Sequence, residues 1–163
     1  MNMSRTLLAL FAAAGLAVSG GSIANTTKEV RDQAIKSAEV TYKADKAACD
    51  ALSGNAKDVC VEQAKGKEKV AKAEAAAAYE NTPKNREKAR VARADAAYDV
   101  AKEKCDDLAG NAKDVCVKEA KAAHVKATAD AKVDRVASES SQNSAQKTAE
   151  ARVEASQDKR DAD

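Results

Sequence analysis

The fold of this chain is decided by residues 49–65, Cys-Asp-Ala-Leu-Ser-Gly-Asn-Ala-Lys-Asp-Val-Cys-Val-Glu-Gln-Ala-Lys, which recur at residues 105–121 as Cys-Asp-Asp-Leu-Ala-Gly-Asn-Ala-Lys-Asp-Val-Cys-Val-Lys-Glu-Ala-Lys. The register extends upstream of both stretches, where Tyr42 matches Tyr98. A segment that returns intact at a fixed spacing marks a structural repeat. The sequence therefore indicates two copies of one module, each containing a pair of cysteines.

The spacing of each cysteine pair predicts a helical hairpin. On one straight helix, Cys49 and Cys60 would lie roughly 16 Å apart, whereas a disulfide needs about 4.4–6.8 Å between Cα atoms. Between them, Gly54 suits the left-handed position that follows a helix, and Asn55 is a favoured N-cap. We therefore expect helix, tight turn and antiparallel helix, with the two cysteines joined across the turn.

The second repeat has the same turn chemistry. Gly110 and Asn111 occupy the positions of Gly54 and Asn55. The sequence therefore predicts a second disulfide, between Cys105 and Cys116.

Residues 1–24 have the features of a cleaved secretory signal peptide. Arg5 supplies the positive start, Leu7–Val18 forms a short apolar core, and Ser22-Ile23-Ala24 fits a cleavage site. An uncleaved anchor is the alternative, but the apolar run is shorter than the roughly 20 residues that span a bilayer. Export would place all cysteines in an oxidising compartment, where structural disulfides persist.

The remaining chain predicts an all-α protein with a thin core. Its only aromatic residues are three Tyr, since the one Phe of the sequence, Phe11, lies within residues 1–24, and its abundant Ala, Lys and Glu favour helix locally. We expect four long helices at about 27–52, 56–80, 83–109 and 112–136, with Asn81-Thr82-Pro83 as the break between the two repeats. They form two disulfide-clamped antiparallel hairpins, residues 25–80 and 81–136, either as a bundle or as an extended pair.

Two details of the predicted helices bear on packing. The apolar stripe of the first helix is interrupted by Asp45. Gly66 is a mild weakness inside the second helix, and Ala122 replaces it in the second copy.

Residues 137–163 form a polar linker, centred on Ser138–Ser144, and a weakly helical tail that we expect to be frayed or disordered.

A family resemblance supports this interpretation. The segments 42–65 and 98–121 resemble a group of uncharacterised exported proteins of Gram-negative bacteria, rich in Ala and Lys, with repeated Cys-Asp-x-Leu-x-Gly-Asn-Ala-Lys-Asp-x-Cys units. These proteins are sometimes labelled TolA-like or cell-envelope proteins. The resemblance covers most of residues 25–136, implies a periplasmic location and brings no catalytic residues with it.

Few residues are candidates for chemistry. Redox-active dithiols and zinc sites use closer spacing than these cysteines have, so structural disulfides are favoured and no metal is expected. The only histidine, His124, corresponds to Glu68 in the other copy, and we expect it to be an exposed helical residue. Arg86, Arg90 and Arg93 share one helix face and are a possible anion-binding site, although a solvated face is the commoner outcome.

The function predicted from these features is that of a non-enzymatic periplasmic structural or interaction protein, a disulfide-stabilised scaffold or spacer of the cell envelope. The alternative is a small periplasmic binding or stress-protection protein that captures a polyanion or a metal. We expect no enzyme activity and no cofactor. An envelope protein or an anionic envelope polymer is the expected kind of partner, whereas nucleic acid and stable membrane insertion are not expected, since aromatic interleaving and large apolar faces are missing.

Overall fold

The computed structural model describes residues 27–161, which form four α-helices. Their bounds are Lys28–Ala48 (α1), Gly54–Tyr79 (α2), Pro83–Cys105 (α3) and Gly110–Asp161 (α4), with a 3-10 turn at Cys49–Ala51 after α1. No β-strand occurs among these described residues. The all-α prediction with disulfide-clamped helices is confirmed, and the predicted signal peptide at 1–24 lies outside the described range.

Threonine side chains begin two of the helices. The backbone N–H of Val30 donates to Thr27 Oγ1 at 3.3 Å, and that of Asn85 donates to Thr82 Oγ1 at 3.1 Å. Pro83 follows Thr82 at the start of α3, where its missing N–H leaves no helical hydrogen bond unmade. The predicted break between the two repeats is confirmed.

The hairpin tips contain the two predicted disulfides. Cys49 is bonded to Cys60 and Cys105 to Cys116, each with a Cα–Cα distance of 5.7 Å. Gly54 has φ +55° and Gly110 has φ +54°, the left-handed conformation that glycine adopts without a steric penalty. The glycines therefore allow the chain to reverse within reach of a disulfide.

The predicted capping role of the two asparagines is wrong. Helix α2 begins at Gly54, with Ser53 as its N-cap, so Asn55 lies inside the helix, and Asn111 lies inside α4 in the same way. The reason is that only Leu52 and Ser53 are extended at the first tip, and the next helix starts at the left-handed glycine itself. The Nδ2 atom of Asn55 is buried without a hydrogen-bond partner.

The four helices form an open antiparallel row. In the part of the chain that the structure describes, α1 contacts α2, α2 contacts α3, and α3 contacts α4, with no contact between helices that are not consecutive. A closed bundle needs large apolar side chains in a central core. Here the buried residues are small, so the extended arrangement is adopted rather than the bundle. They are Ala38, Cys49, Ala64, Gly66, Ala89, Ala94, Cys105 and Ala131.

Gly66 is a contact position rather than a weakness of α2. A Cβ atom at Gly66 would lie 2.8 Å from the Cβ atom of Ala96 on α3, closer than two carbon atoms pack. The equivalent residue on α4, Ala122, is exposed, since no helix of the described chain packs on that side. The glycine is therefore needed where two hairpins meet and not at the free edge.

Helix α4 is 52 residues long and corrects the prediction for the C-terminal part. The expected linker at Ser138–Ser144 and the expected frayed tail are helical through Asp161. Neither Gly nor Pro occurs after Gly110 in this helix, and hydroxyl groups bond back to helical carbonyls, as Ser138 does to Asp134 at 2.8 Å. The helix propensities summed over these residues therefore favour a continuous helix over the linker that the polar tract predicts. Every side chain from residue 139 to 160 is exposed.

Candidate functional site

Each hairpin tip is held together by a buried disulfide and by an ion pair. Cys49 and Cys105 have no exposed surface. An ion pair also crosses each tip, Lys57 to Asp50 at 2.9 Å and Lys113 to Asp106 at 3.0 Å. The hydrogen bond and positive charge of Lys57 lower the pKa of Asp50 below its ordinary value.

The chemistry of the cysteines follows from this geometry. All four predicted disulfide residues are paired as expected, and no free cysteine remains. Disulfides of this kind indicate an oxidising, non-cytoplasmic compartment. Among residues 27–161 no group of three or more His, Cys, Asp or Glu side chains is arranged to hold a metal ion.

Each repeat has a matching groove beside its tyrosine. The groove between α1 and α2 has a volume of about 330 Å³ and includes Tyr42, and the groove between α3 and α4 has a volume of about 320 Å³ and includes Tyr98. Equivalent positions line both grooves, since Ala38 corresponds to Ala94. The repeat thus reproduces a surface feature as well as the disulfide.

The first groove is polar. Lys67 of α2 pairs with Asp45 of α1 at 2.8 Å, which explains the acidic residue that interrupts the apolar stripe. In the second groove both positions are alanine, Ala101 and Ala123. The two members of the ion pair are therefore present together in one repeat and absent together in the other.

A second difference between the repeats involves the histidine. In the first repeat, Lys72 bonds both Glu39 at 2.9 Å and Glu68 at 2.8 Å. The hydrogen bond and charge of Lys72 lower the pKa of Glu39, and the hydrogen bonds from Lys72 to Glu68 and Glu39 raise the pKa of Lys72. A lysine thus links two carboxylates across the first hairpin.

The second repeat replaces this link with a direct one. His124, which takes the place of Glu68, has its Nε2 atom 2.6 Å from Asp95 Oδ1, and its ring centroid lies 5.1 Å from that of Tyr98. The expectation of an exposed histidine is therefore wrong, because His124 faces α3 rather than solvent. An alignment of the two repeats indicates this pair, because Asp95 and His124 in the second repeat correspond to Glu39 and Glu68 in the first.

The His124–Asp95 pair resembles half of an acid–base arrangement, but its surroundings lack the other half. The groove around it is lined by alanines and Tyr98. None of these is the serine or cysteine nucleophile that such a pair would activate. The His124–Asp95 pair instead joins α4 to α3.

The three arginines proposed for anion binding each have a partner within the chain. Arg86 donates to the backbone oxygen of Asn81 at 3.0 Å and to its side-chain oxygen at 2.8 Å. Arg90 pairs with Asp134, and Arg93 pairs with Glu74 at 2.6 Å. Two of the three charges are therefore balanced locally, and anion binding at this face stays a prediction.

Within the described residues, no helix combines the length and apolar character required to cross a membrane. Compared with models of known protein families, with curated proteins and with solved structures, the chain matches none.

Proposed function

We propose that the chain is a non-enzymatic exported protein of the periplasm, a disulfide-clamped helical spacer that presents its longest helix to a partner in the cell envelope. One observation carries the proposal. Helix α4 continues from residue 139 to Asp161, about 34 Å at 1.5 Å per residue, and its side chains from residue 139 to 160 are exposed.

The base of this projecting segment is held firmly by α3. Pro83 and Ser138 line the same small cavity, so α4 leaves the row close to the start of α3. Arg135 bonds Glu87 of α3 at 2.7 Å and Glu139 of its own helix at 2.6 Å. The pKa of Arg135 is raised by these partners, Glu139 first. An anchored base and a projecting helix are what a spacer requires.

Export is supported by two features that share no residues. Residues 1–24 have signal-peptide character, and the four cysteines are all in disulfides, which persist in oxidising compartments. The resemblance to exported envelope proteins agrees with both. A periplasmic location is therefore part of the proposal.

The alternative, capture of a polyanion or a metal, has weaker support. The arginines pair with internal acceptors, and the cysteines are oxidised. Salt-sensitive binding to anionic vesicles, lost when Arg86, Arg90 and Arg93 are changed to Glu, would favour this alternative over the spacer.

The experiment is site-specific photo-crosslinking in the host, with a photoreactive residue at Ala149 on the projecting segment and, as a matched control, at Ala34 on α1. Both alanines are exposed. We expect an adduct with an envelope protein from position 149 and none from position 34, in a periplasmic fraction whose protein begins at Asn25. Equal labelling from both positions, or a cytoplasmic protein with free thiols, would contradict the proposal.

A further inference from the structure

The outward face of α4, on the side away from α3, is apolar although nothing in the described chain covers it. Four exposed valines lie there together with the small residues Ala122 and Ala129, which are also exposed. The spacing of these six residues places them within about 80° of one another around the helix. The valines are Val115, Val125, Val133 and Val136.

The first repeat provides an internal comparison for this face. The corresponding side of α2 packs against α3, where Gly66 meets Ala96 and Lys69 pairs with Asp99 at 3.5 Å. The counterparts of Val125, Val133 and Val136 on that side are Lys69, Ala77 and Glu80. At these three positions the uncovered face of α4 is therefore more apolar than the side of the first repeat that packs against α3.

The α2–α3 contact cannot simply be repeated between copies. If α4 of one copy met α1 of the next in that geometry, Ala122 would replace Gly66 and Val40 would replace Ala96. Two larger side chains would then occupy a gap that already excludes one Cβ atom. The polar pair of Lys69 and Asp99 would become Val125 and Lys43, so open-ended stacking is disfavoured.

We propose instead that the outward face of α4 is a homodimer interface, in which two copies pair α4 with α4 antiparallel about a two-fold axis at Ala129. This register sets Ala122 opposite Val136 of the second copy, and Val125 opposite its Val133. Ala122 thus faces a larger side chain, as interdigitating helices require, and Ala129 faces Ala129 of the second copy, where two small side chains let the helices approach closely. Both copies thus contribute the same surface to the interface, which is the arrangement of a closed dimer.

The charges on and beside the apolar face fit the same register. Lys118 lies at the same angle around the helix as Val136, within the apolar sector. In this register it comes beside Glu139 of the other copy, which also pairs with Arg135 of its own helix. Lys126 and Asp130, which form an ion pair at 2.6 Å within each helix, lie beside the same pair of the second copy at the other edge of the apolar face. Each contact occurs twice by symmetry, so opposite charges lie close together at these places along the interface.

The interface is small and contains no large anchor side chain, which indicates a weak dimer. The two helices overlap over residues 110–148, about 58 Å, and a helix is about 10 Å wide. The footprint is thus about 600 Å² per copy, or about 1,200 Å² in total, the lower end of specific interfaces. We expect a reversible dimer with a dissociation constant of about a micromolar or weaker.

This inference does not depend on the proposed spacer function, because a dimer would form wherever the chain is located. The test is sedimentation velocity of the mature chain, disulfides intact, from about 1 to about 200 μM. The test variant, V125K/V133A/V136E, gives α4 the residues that α2 carries. The control is Val153→Lys, because Val153 is 54% exposed, close to the 55% of Val125, but lies outside the paired region.

We expect a concentration-dependent dimer for the unmodified chain and for Val153→Lys, and a dissociation constant raised at least about 100-fold in the triple variant, with unchanged helical circular dichroism. An unmodified chain that stays monomeric over the whole range would overturn the proposal. So would a triple variant that dimerises normally, or a control that weakens equally.

A second variant tests the symmetry. Because the axis passes at Ala129, Ala129→Cys is expected to form a disulfide between copies under mild oxidation, while Ala122→Cys is expected to form none. Equal cross-linking of both variants would refute the antiparallel register.

Discussion

Replacing Gly66 by alanine should destabilise this protein, although alanine is the better helix former. Gly66 is buried on α2, and the added Cβ atom would lie 2.8 Å from Ala96 Cβ and 3.4 Å from Ala96 Cα. The shorter distance lies well inside the contact distance of two carbon atoms, about 3.5–4.0 Å. Neither partner atom can rotate away, so helices α2 and α3 must separate.

The expected size of the effect comes from two opposing contributions. Overpacking of a close contact costs about 1–3 kcal/mol, whereas exchanging glycine for alanine inside a helix contributes about 1 kcal/mol of stability. We therefore expect a net loss of about 1 kcal/mol, or about 4 °C in Tm for a chain of this size. Removing the opposing methyl group, by Ala96→Gly in the same chain, should restore part of that loss.

The assay is urea unfolding followed by circular dichroism for both single variants and the double variant, which yields their coupling energy. Ala122→Gly, measured at a concentration where the chain is monomeric, serves as the control, because Ala122 is the exposed counterpart of Gly66 and its loss there should cost only the helix-propensity difference of about 1 kcal/mol. If Gly66→Ala instead raised stability by about 1 kcal/mol, with no coupling to Ala96, the close contact between the hairpins would not exist.

Three further outcomes follow from the structure. Reduction of both disulfides should remove about 2–4 kcal/mol each and increase hydrogen exchange at the tips far more than in the helices; complete loss of the helical signal would contradict this. Glu39 and Asp50 have pKa values below their ordinary 4.5 and 3.8 because of Lys72 and Lys57, so stability present above those values should be lost as pH falls through the lowered ones, and a Lys72→Met variant should show a smaller fall in Tm. Asn55→Ala should be neutral or stabilising, since it removes an unpaired buried amide, whereas a loss of about 1 kcal/mol would restore the capping role.

The hairpins were predictable because their determinants are local. The separation of Cys49 and Cys60 excludes a straight helix, and Gly54 allows the chain to reverse its direction. The second repeat has the same residue types at the equivalent positions. Thr82 and Pro83 likewise act within one helical turn. Such features depend on neighbouring residues alone, so a sequence contains all the necessary information.

Other features depend on how helices are placed in space, and the sequence indicated them at most indirectly, through the paired differences between the two repeats. Gly66 matters because α3 lies against it, and His124 is paired because the register of α3 and α4 brings Asp95 within reach. The length of α4 was missed for a different reason. The polar tract at 138–144 is typical of a linker, but a sum of moderate helix propensities continues the helix.

The open row of helices also affects how the disulfides form. Four cysteines allow three connectivities, and here each native bond closes a short loop inside one hairpin. Any wrong pairing must close a longer loop, and Cys60 and Cys105 are separated by most of a repeat, which costs more chain entropy. During synthesis, the first pair can also meet before the second has emerged. Oxidative folding of this chain should therefore reach the native pairing without a disulfide isomerase.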